Sequence, residues 1–172
     1  MTERMEKRAA YRKARRRVRE IIDFLFTLLL ALIVAFLIRS YVIELFDIEG
    51  DSMLPTLSSG QRLFIAKLFY KPERGDIVVL KYPDDPEDKF YVKRIVALEG
   101  DTVAVSGGTL AVNGASVKEN YISGGIPYDY PELTVPEGCC FVLGDNRGHS
   151  KDSHIIGPVP LELICGEAIF KK

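Results

Sequence analysis

The sequence predicts a mainly β protein: a single N-terminal transmembrane helix followed by a compact, all-β, barrel-like domain. Three observations carry this expectation. Ile21 to Ile38 is apolar at every position except Asp23 and Thr27. Beyond Tyr41 the helical pattern gives way to short runs rich in Val, Ile, Leu, Phe and Tyr. Gly, Pro, Asp and Asn separate those runs as turn residues do. The chain of 172 residues suffices for one modest domain and an attachment.

Charge divides the chain in the same way. Residues 1–40 hold ten Lys/Arg against four Asp/Glu, whereas the remainder holds thirteen against twenty. A basic arm on an acidic body suits a nucleic acid or a membrane surface. The apolar run selects the membrane, and no nucleic-acid role is needed. Residues 1–20 read as a basic cytoplasmic arm, 21–39 as the anchor and 40–172 as an extracytoplasmic domain. The run approaches the ~20 residues that a spanning helix needs, and Arg39 closes it. It lacks the polar face of a soluble core helix. It ends "FLIRSY", not in the small residues of a cleaved leader. Nine basic residues between Arg4 and Arg19 hold that end in the cytoplasm and suit anionic lipid heads.

The exported part begins its β pattern with "QRLFIAKLFY" (61–70) and "GDIVVLKY" (75–82). Residues 63–70 read as a plain strand, with contact to the lipid surface as the other reading. "FYVKRIVAL" (90–98), "DTVAV" (101–105), "GTLAVNG" (108–114) and "CCFVLGD" (139–145) follow. Asn113-Gly114 marks a hairpin turn. Residues 119–134 are polar and read as a surface excursion. Adjacent Cys139 and Cys140 face opposite ways in a strand, so at most one reaches Cys165; small buried hydrophobes are the simpler reading of all three. No C-x-x-C or H-E-x-x-H pattern occurs, and no phosphate or dinucleotide loop, so neither a metal nor another cofactor is expected.

The strand 90–98 poses the chemical question. Alternation puts Tyr91, Lys93, Ile95 and Ala97 on one face and Val92, Arg94, Val96 and Leu98 on the other. Both faces are apolar, and each carries one cation. A buried amine sheds its proton. A guanidinium does not, so Arg94 needs a carboxylate, and Asp145 and Asp152 are candidates. A second feature is "EGDSMLPTLSSG" (49–60), where a proline-bearing turn holds Ser52. That hydroxyl can make a turn, cap a helix or act as a nucleophile. A nucleophile needs a base, and His149, His154 or a neutral Lys93 can supply one.

Four segments in series behind the apolar run, "GDSMLPTL" (50–57), "RGDIVVLKYP" (74–83), "YVKRIVALEGD" (91–101) and "GDNRGHSKDSHIIGPV" (144–159), resemble the bacterial type I signal peptidases in their Gram-positive-like form. The resemblance implies the signal-peptidase fold and a Ser/Lys dyad, with Ser52 as nucleophile and Lys93 as general base. It implies that Ser150 steadies the lysine amine, that Gly144 leaves room for it, and that Asp145 and Asp152 are structural carboxylates, Asp145 pairing with Arg94. Substrates would be exported preproteins with small residues at −1 and −3. They would lie extended beside residues 46–51 and 91–93, near Phe46, Ile48, Met53, Leu57, Tyr91 and Val92. Lipid and the protein-export machinery are the other implied partners. Two departures stand out. Gly50 occupies the place of a serine that helps form the oxyanion hole in some members, and His154 that of a usual arginine. Region 105–135 is also short for the family's second subdomain. The rival readings are an anchored β domain that binds extended peptides without cutting them, and a self-cleaving repressor, against which the anchor weighs.

Overall fold

The computed structural model describes residues 2–41, 43–67, 70–82, 85–86 and 89–169; side chains are described from 15 to 36 and from 45 onward. The chain divides into two units, Met1–Tyr41 and Val42–Lys172. The first is a single helix, α1 (Thr2–Tyr41). Its apolar side chains are half exposed or more along most of their length, reaching 68 % at Phe36. Within it, Thr27 turns its hydroxyl back onto the Asp23 carbonyl at 2.8 Å, which satisfies the hydroxyl inside an apolar run. Among the described residues no helix is long and apolar enough to cross a membrane. The expected anchor, 21–39, ends on residues 37–39, whose side chains lie outside the described ones.

The second unit is mainly β. Its strands are β1 (Ile43–Asp47), β2 (Arg62–Ala66), β3 (Ile77–Lys81), β4 (Phe90–Leu98), β5 (Thr102–Ser106), β6 (Thr109–Val112), β7 (Ala115–Ser116), β8 (Tyr130–Thr134), β9 (Cys139–Leu143), β10 (Val159–Pro160) and β11 (Ile164–Ile169). A one-turn helix, α2 (Ser153–Ile156), precedes β10. Seven strands form one antiparallel sheet in the order β1-β2-β11-β3-β4-β9-β10, and four form another in the order β7-β6-β5-β8. The β6–β7 hairpin turns on Asn113 and Gly114, both at positive φ (54° and 74°). A two-residue turn that continues the strand twist needs that conformation.

Three results depart from the sequence reading. Residues 119–134 are not a plain excursion: Tyr130–Thr134 pairs with β5, and Ile126 is buried in the core between the sheets. Strands β1 and β11 carry no clear alternation in sequence, yet both sit in the large sheet. The expected run 61–70 forms a strand only over Arg62–Ala66, and residues 68–69, on which contact with lipid would partly depend, lie outside the described ones.

Strand β4 also departs from simple alternation. Opposite β9 its register shifts between Ile95 and Ala97, so Val96 is an extra residue. The bulge re-aims the side chains beyond it. Val96 and Ala97 both pack with Phe141 and Leu143, whereas Leu98 packs with the cluster of Ile95, Val78 and Leu80. Ala97 and Leu98 thus exchange the faces that alternation assigns them. Up to Arg94, before the bulge, alternation holds.

The large sheet curls upon itself. The rings of Phe46 in β1 and Phe90 in β4 meet edge to face at 4.8 Å, although three strands separate β1 from β4 in the sheet. Along β4, residues Phe90 to Arg94 pair with β3, but pairing with β9 begins only at Arg94. Among the described residues, 90–93 therefore keep one ladder edge open on the side away from β3. Among the described residues β1 has a single strand neighbour, β2. The barrel is left with a seam between these two edges.

Candidate active site

Ser52 lies at this seam, in the turn between β1 and β2. Gly50 enters the turn at φ 82°, and the Leu57 N–H closes a helical turn on the Met53 carbonyl at 2.9 Å. Met53 and Leu57 are buried beneath it with Ile48, Leu63, Ile65 and Val79. These apolar anchors leave Ser52 only partly covered. From the loop after β9 the Asn146 N–H donates to the Ser52 carbonyl at 3.0 Å, and its side-chain amide donates to the Asp51 carbonyl at 3.0 Å. Sequence reading gave Asn146 no role. A polar residue after Gly-Asp looks like any turn residue until the two loops are seen together.

Lys93 is 2 % exposed. Its Nζ donates to Ser52 Oγ at 2.8 Å and to the Val92 carbonyl at 3.0 Å. Burial pushes the amine down from 10.5 to about 8, against the Asp152 charge, which raises it. Desolvation wins because neither of these two partners is a carboxylate. The next residue is treated in the opposite way. Arg94 donates through Nε to Asp145 Oδ1 at 2.8 Å and through Nη2 to Asp145 Oδ2 at 2.6 Å. Its third nitrogen reaches the Gly75 carbonyl at 2.7 Å, and the Tyr121 ring lies 3.9 Å from its carbon. Asp145 is fully buried and also accepts from Thr56 Oγ1 in the serine turn. A two-pronged pair of this kind adds geometric specificity as well as energy.

Asp152 is likewise fully buried. It accepts from the Gly144 N–H at 2.8 Å, caps α2 through the His154 N–H, and meets His154 Nδ1 at 2.6 Å. The His154 ring stacks on Tyr128, centroids 3.9 Å apart. Gly144 is required by space: a Cβ there would stand 2.2 Å from Ser150 Oγ and 2.5 Å from the Ser52 carbonyl oxygen. The expected bond from Ser150 to the lysine amine is not formed. Ser150 Oγ is buried without a hydrogen-bond partner among the described residues, and Nζ is engaged by Ser52 and Val92. His149 ends a 3₁₀ turn and His154 faces Asp152, so the hydrogen-bonded neighbour of Ser52 Oγ is the lysine.

The seam is a groove of about 630 Å³ in front of the serine. Phe46, Ile48, Met53, Tyr91 and Val92 line it. Leu57, expected there, does not: its helical turn carries it inward to the core of Leu63 and Ile65, where it is 4 % exposed. Val79 and Phe90 line the groove without having been singled out. Alternation could have found Val79, since it pairs with Val92 across β3 and β4. Among the described residues no group of His, Cys, Asp and Glu could hold a metal ion. The Cys139 and Cys140 thiols are free, and burial, with Cys139 beside it, pushes Cys140 up to about 12. That thiol stays protonated and inert.

A buried amine in hydrogen-bond reach of a turn hydroxyl can activate that hydroxyl as a nucleophile, and here the pair faces a groove with two open strand edges. Residues 21–171 match the model of the family "Signal peptidase, peptidase S26". The chain is 40 % identical over 146 residues to a probable signal peptidase I of Synechocystis, covering 80 % of this chain and 74 % of that protein. It is 37 % identical over 150 residues to a signal peptidase I of Bacillus licheniformis, covering 79 % and 80 %. A crystal structure of a signal peptidase I from Enterococcus faecalis aligns with a TM-score of 0.51 at 34 % identity, over 57 % of this chain and 97 % of that one. The chain belongs to this family, the peptidases that remove signal peptides from exported preproteins.

Proposed function

We propose that the chain cleaves preproteins through a Ser52–Lys93 dyad while anchored in a membrane by a single N-terminal helix. The observation that carries the mechanism is the 2.8 Å contact between Lys93 Nζ and Ser52 Oγ with the lysine 2 % exposed. Neutral Lys93 takes the proton from Ser52 Oγ as the oxygen bonds to the scissile carbonyl carbon. The tetrahedral oxyanion is held by the Ser52 N–H, since Gly50 offers no side-chain donor. Collapse breaks the C–N bond, and the new amino terminus leaves with the proton from Lys93. Lys93 then takes a proton from water, whose oxygen attacks the acyl ester. Ser52 departs and recovers that proton.

Substrate binding is explained by the two open edges. An extended peptide adds its backbone between β1 and residues 90–93 of β4, with alternate side chains pointing into the groove. Ile48, Met53 and Val79 fill the floor, each at most 5 % exposed. Such a floor admits small side chains at −1 and −3. The anchor, residues 21–39 behind a basic arm 1–20, rests on the apolar run and on exposed apolar side chains all round α1, which suit lipid better than water. It places residues 40–172 outside the cytoplasm, where export machinery delivers substrates held in the same bilayer.

The test is incubation of the full chain in detergent with a preprotein carrying alanine at −1 and −3. Wild type yields the mature protein, and Ser52→Ala and Lys93→Ala, folded by circular dichroism, do not. A preprotein bound but intact after long incubation with wild type would favour the non-cutting peptide-binding reading. Cleavage at the wild-type rate by Lys93→Ala would remove the lysine from the mechanism.

A further inference from the structure

The groups around the dyad are fastened from behind by the segment between β7 and β8, residues 117–129. Three basic side chains hold the backbone and carboxylates next to Ser52 and Lys93. Arg94 holds Asp145, His154 meets Asp152, and Arg147 donates through Nε to the Gly144 carbonyl at 2.9 Å. Each meets a side chain of this one segment. Tyr121 covers Arg94 at 3.9 Å, and Tyr128 stacks on His154 at 3.9 Å. Glu119 takes both terminal nitrogens of Arg147, one at 2.8 Å, and the two side chains are 4 % and 2 % exposed. Tyr121 Oη donates back to Glu119 at 2.7 Å, so the segment is braced internally.

We infer that Glu119 is a positioning residue for the cleavage reaction, acting through Arg147 on the Gly144 backbone. This rests on the Ser52–Lys93 reading above. Gly144 has no slack. The atoms around its missing Cβ are Ser150 Oγ and the Ser52 carbonyl, its N–H is held by Asp152, and two residues on the Asn146 N–H holds the Ser52 carbonyl. Of the Arg147 side-chain nitrogens, Glu119 fixes two and the Gly144 carbonyl takes the third. Removing the carboxylate frees a buried guanidinium to seek other acceptors. The 144–146 backbone then loses a fixed donor, and with it the register between Ser52 Oγ and Lys93 Nζ. The substrate groove is built from β1, β3 and β4, and neither Glu119 nor Arg147 lines it. Loss of positioning thus lowers kcat and leaves KM in place.

The test uses the full chain in detergent with the alanine-bearing preprotein. Glu119→Gln is nearly isosteric and keeps one acceptor oxygen, so it preserves the fold. It lowers kcat by about 10- to 100-fold, the scale of a misplaced reacting group, with KM within about threefold. A second variant separates positioning from stability. Replacing both partners, Glu119→Met with Arg147→Met, exchanges a buried ion pair for apolar side chains, a change often neutral or stabilising. It also deletes the donor to Gly144. Its thermal midpoint returns to that of wild type while kcat stays low. Wild-type kcat in folded Glu119→Gln, or kcat recovering together with the midpoint in the double variant, overturns the inference. Failure of wild type itself to cleave would sink the Ser52–Lys93 reading instead.

Discussion

Replacing Lys93 by methionine should abolish cleavage and, at neutral pH, stabilise the fold. Burial holds the amine at about 8 against an ordinary 10.5. Between these values the unfolded chain binds a proton that the folded chain has released. The cost to folding is therefore fully present below the folded value and fades as pH rises toward the unfolded one. Linkage puts that cost at about 3 kcal/mol at pH 6 and below about 1 kcal/mol at pH 10. Methionine removes the cost but also the hydrogen bonds to Ser52 Oγ and the Val92 carbonyl, each on the order of 1 kcal/mol. The balance changes sign. Lys93→Met should be about 1 to 2 kcal/mol more stable than wild type at pH 6 and about as much less stable at pH 10. Urea unfolding of both full chains in one detergent, at pH 6, 8 and 10, measures the difference. A gap that stays flat across this range would mean that Lys93 keeps its charge in the fold, which refutes its assignment as the base.

Three further outcomes rest on the same geometry. In wild type kcat/KM should rise about tenfold per pH unit below about 8 and level off above it, as the neutral amine accumulates; a pH profile with a preprotein substrate shows whether that limb exists. Gly144→Ala forces its Cβ against the Ser52 carbonyl and Ser150, so kcat should fall by at least about 100-fold while the overpacked site costs about 1 to 3 kcal/mol of stability; single-turnover cleavage and urea unfolding measure the two. Asp145→Ala leaves Arg94 buried and uncompensated, which should cost about 3 to 5 kcal/mol, whereas Asp145→Asn, still an acceptor, should cost less; a reversed order of their urea midpoints would contradict the account of the pair.

The strands legible in sequence are those whose apolar runs stand between turn residues, as in β3, β4 and β9. Those that escape sequence reading do so for a local reason. In β11, Gly166 reads as a breaker, yet it is needed because a Cβ there would stand 2.3 Å from the Ala66 carbonyl oxygen of the neighbouring strand. Strand β8 contains Pro131, which argues against a central strand but is tolerated here at the edge of the small sheet. Strand β1 comes directly after the apolar helix without punctuation and alternates too briefly to register. In the site, Lys93 and Arg94 are legible because burial of both faces can be read from alternation. Glu119 and Asn146 are not: each is polar in a polar loop, and only contacts across 28 residues for Glu119 and 95 for Asn146 distinguish them from solvated neighbours.

Two adjacent basic residues on one strand meet opposite surroundings, and the strand itself explains why. Before the bulge at Val96, successive side chains of β4 leave on opposite faces, so Lys93 and Arg94 meet different partners although their Cα atoms are neighbours. On one face Asp145 offers Arg94 two oxygens at 2.8 and 2.6 Å. On the other the partners are a hydroxyl and a carbonyl, with Asp152 contributing only through its charge, and burial prevails. Exchanging the two residues would place an arginine that cannot release its proton against Ser52, and a lysine unable to span Asp145 with two parallel bonds on the opposite face. The order Lys-Arg is therefore fixed by chemistry on one face and by structure on the other. Beyond the bulge at Val96 both faces are apolar, with Ala97 in the cluster of Phe141 and Leu98 in that of Ile95.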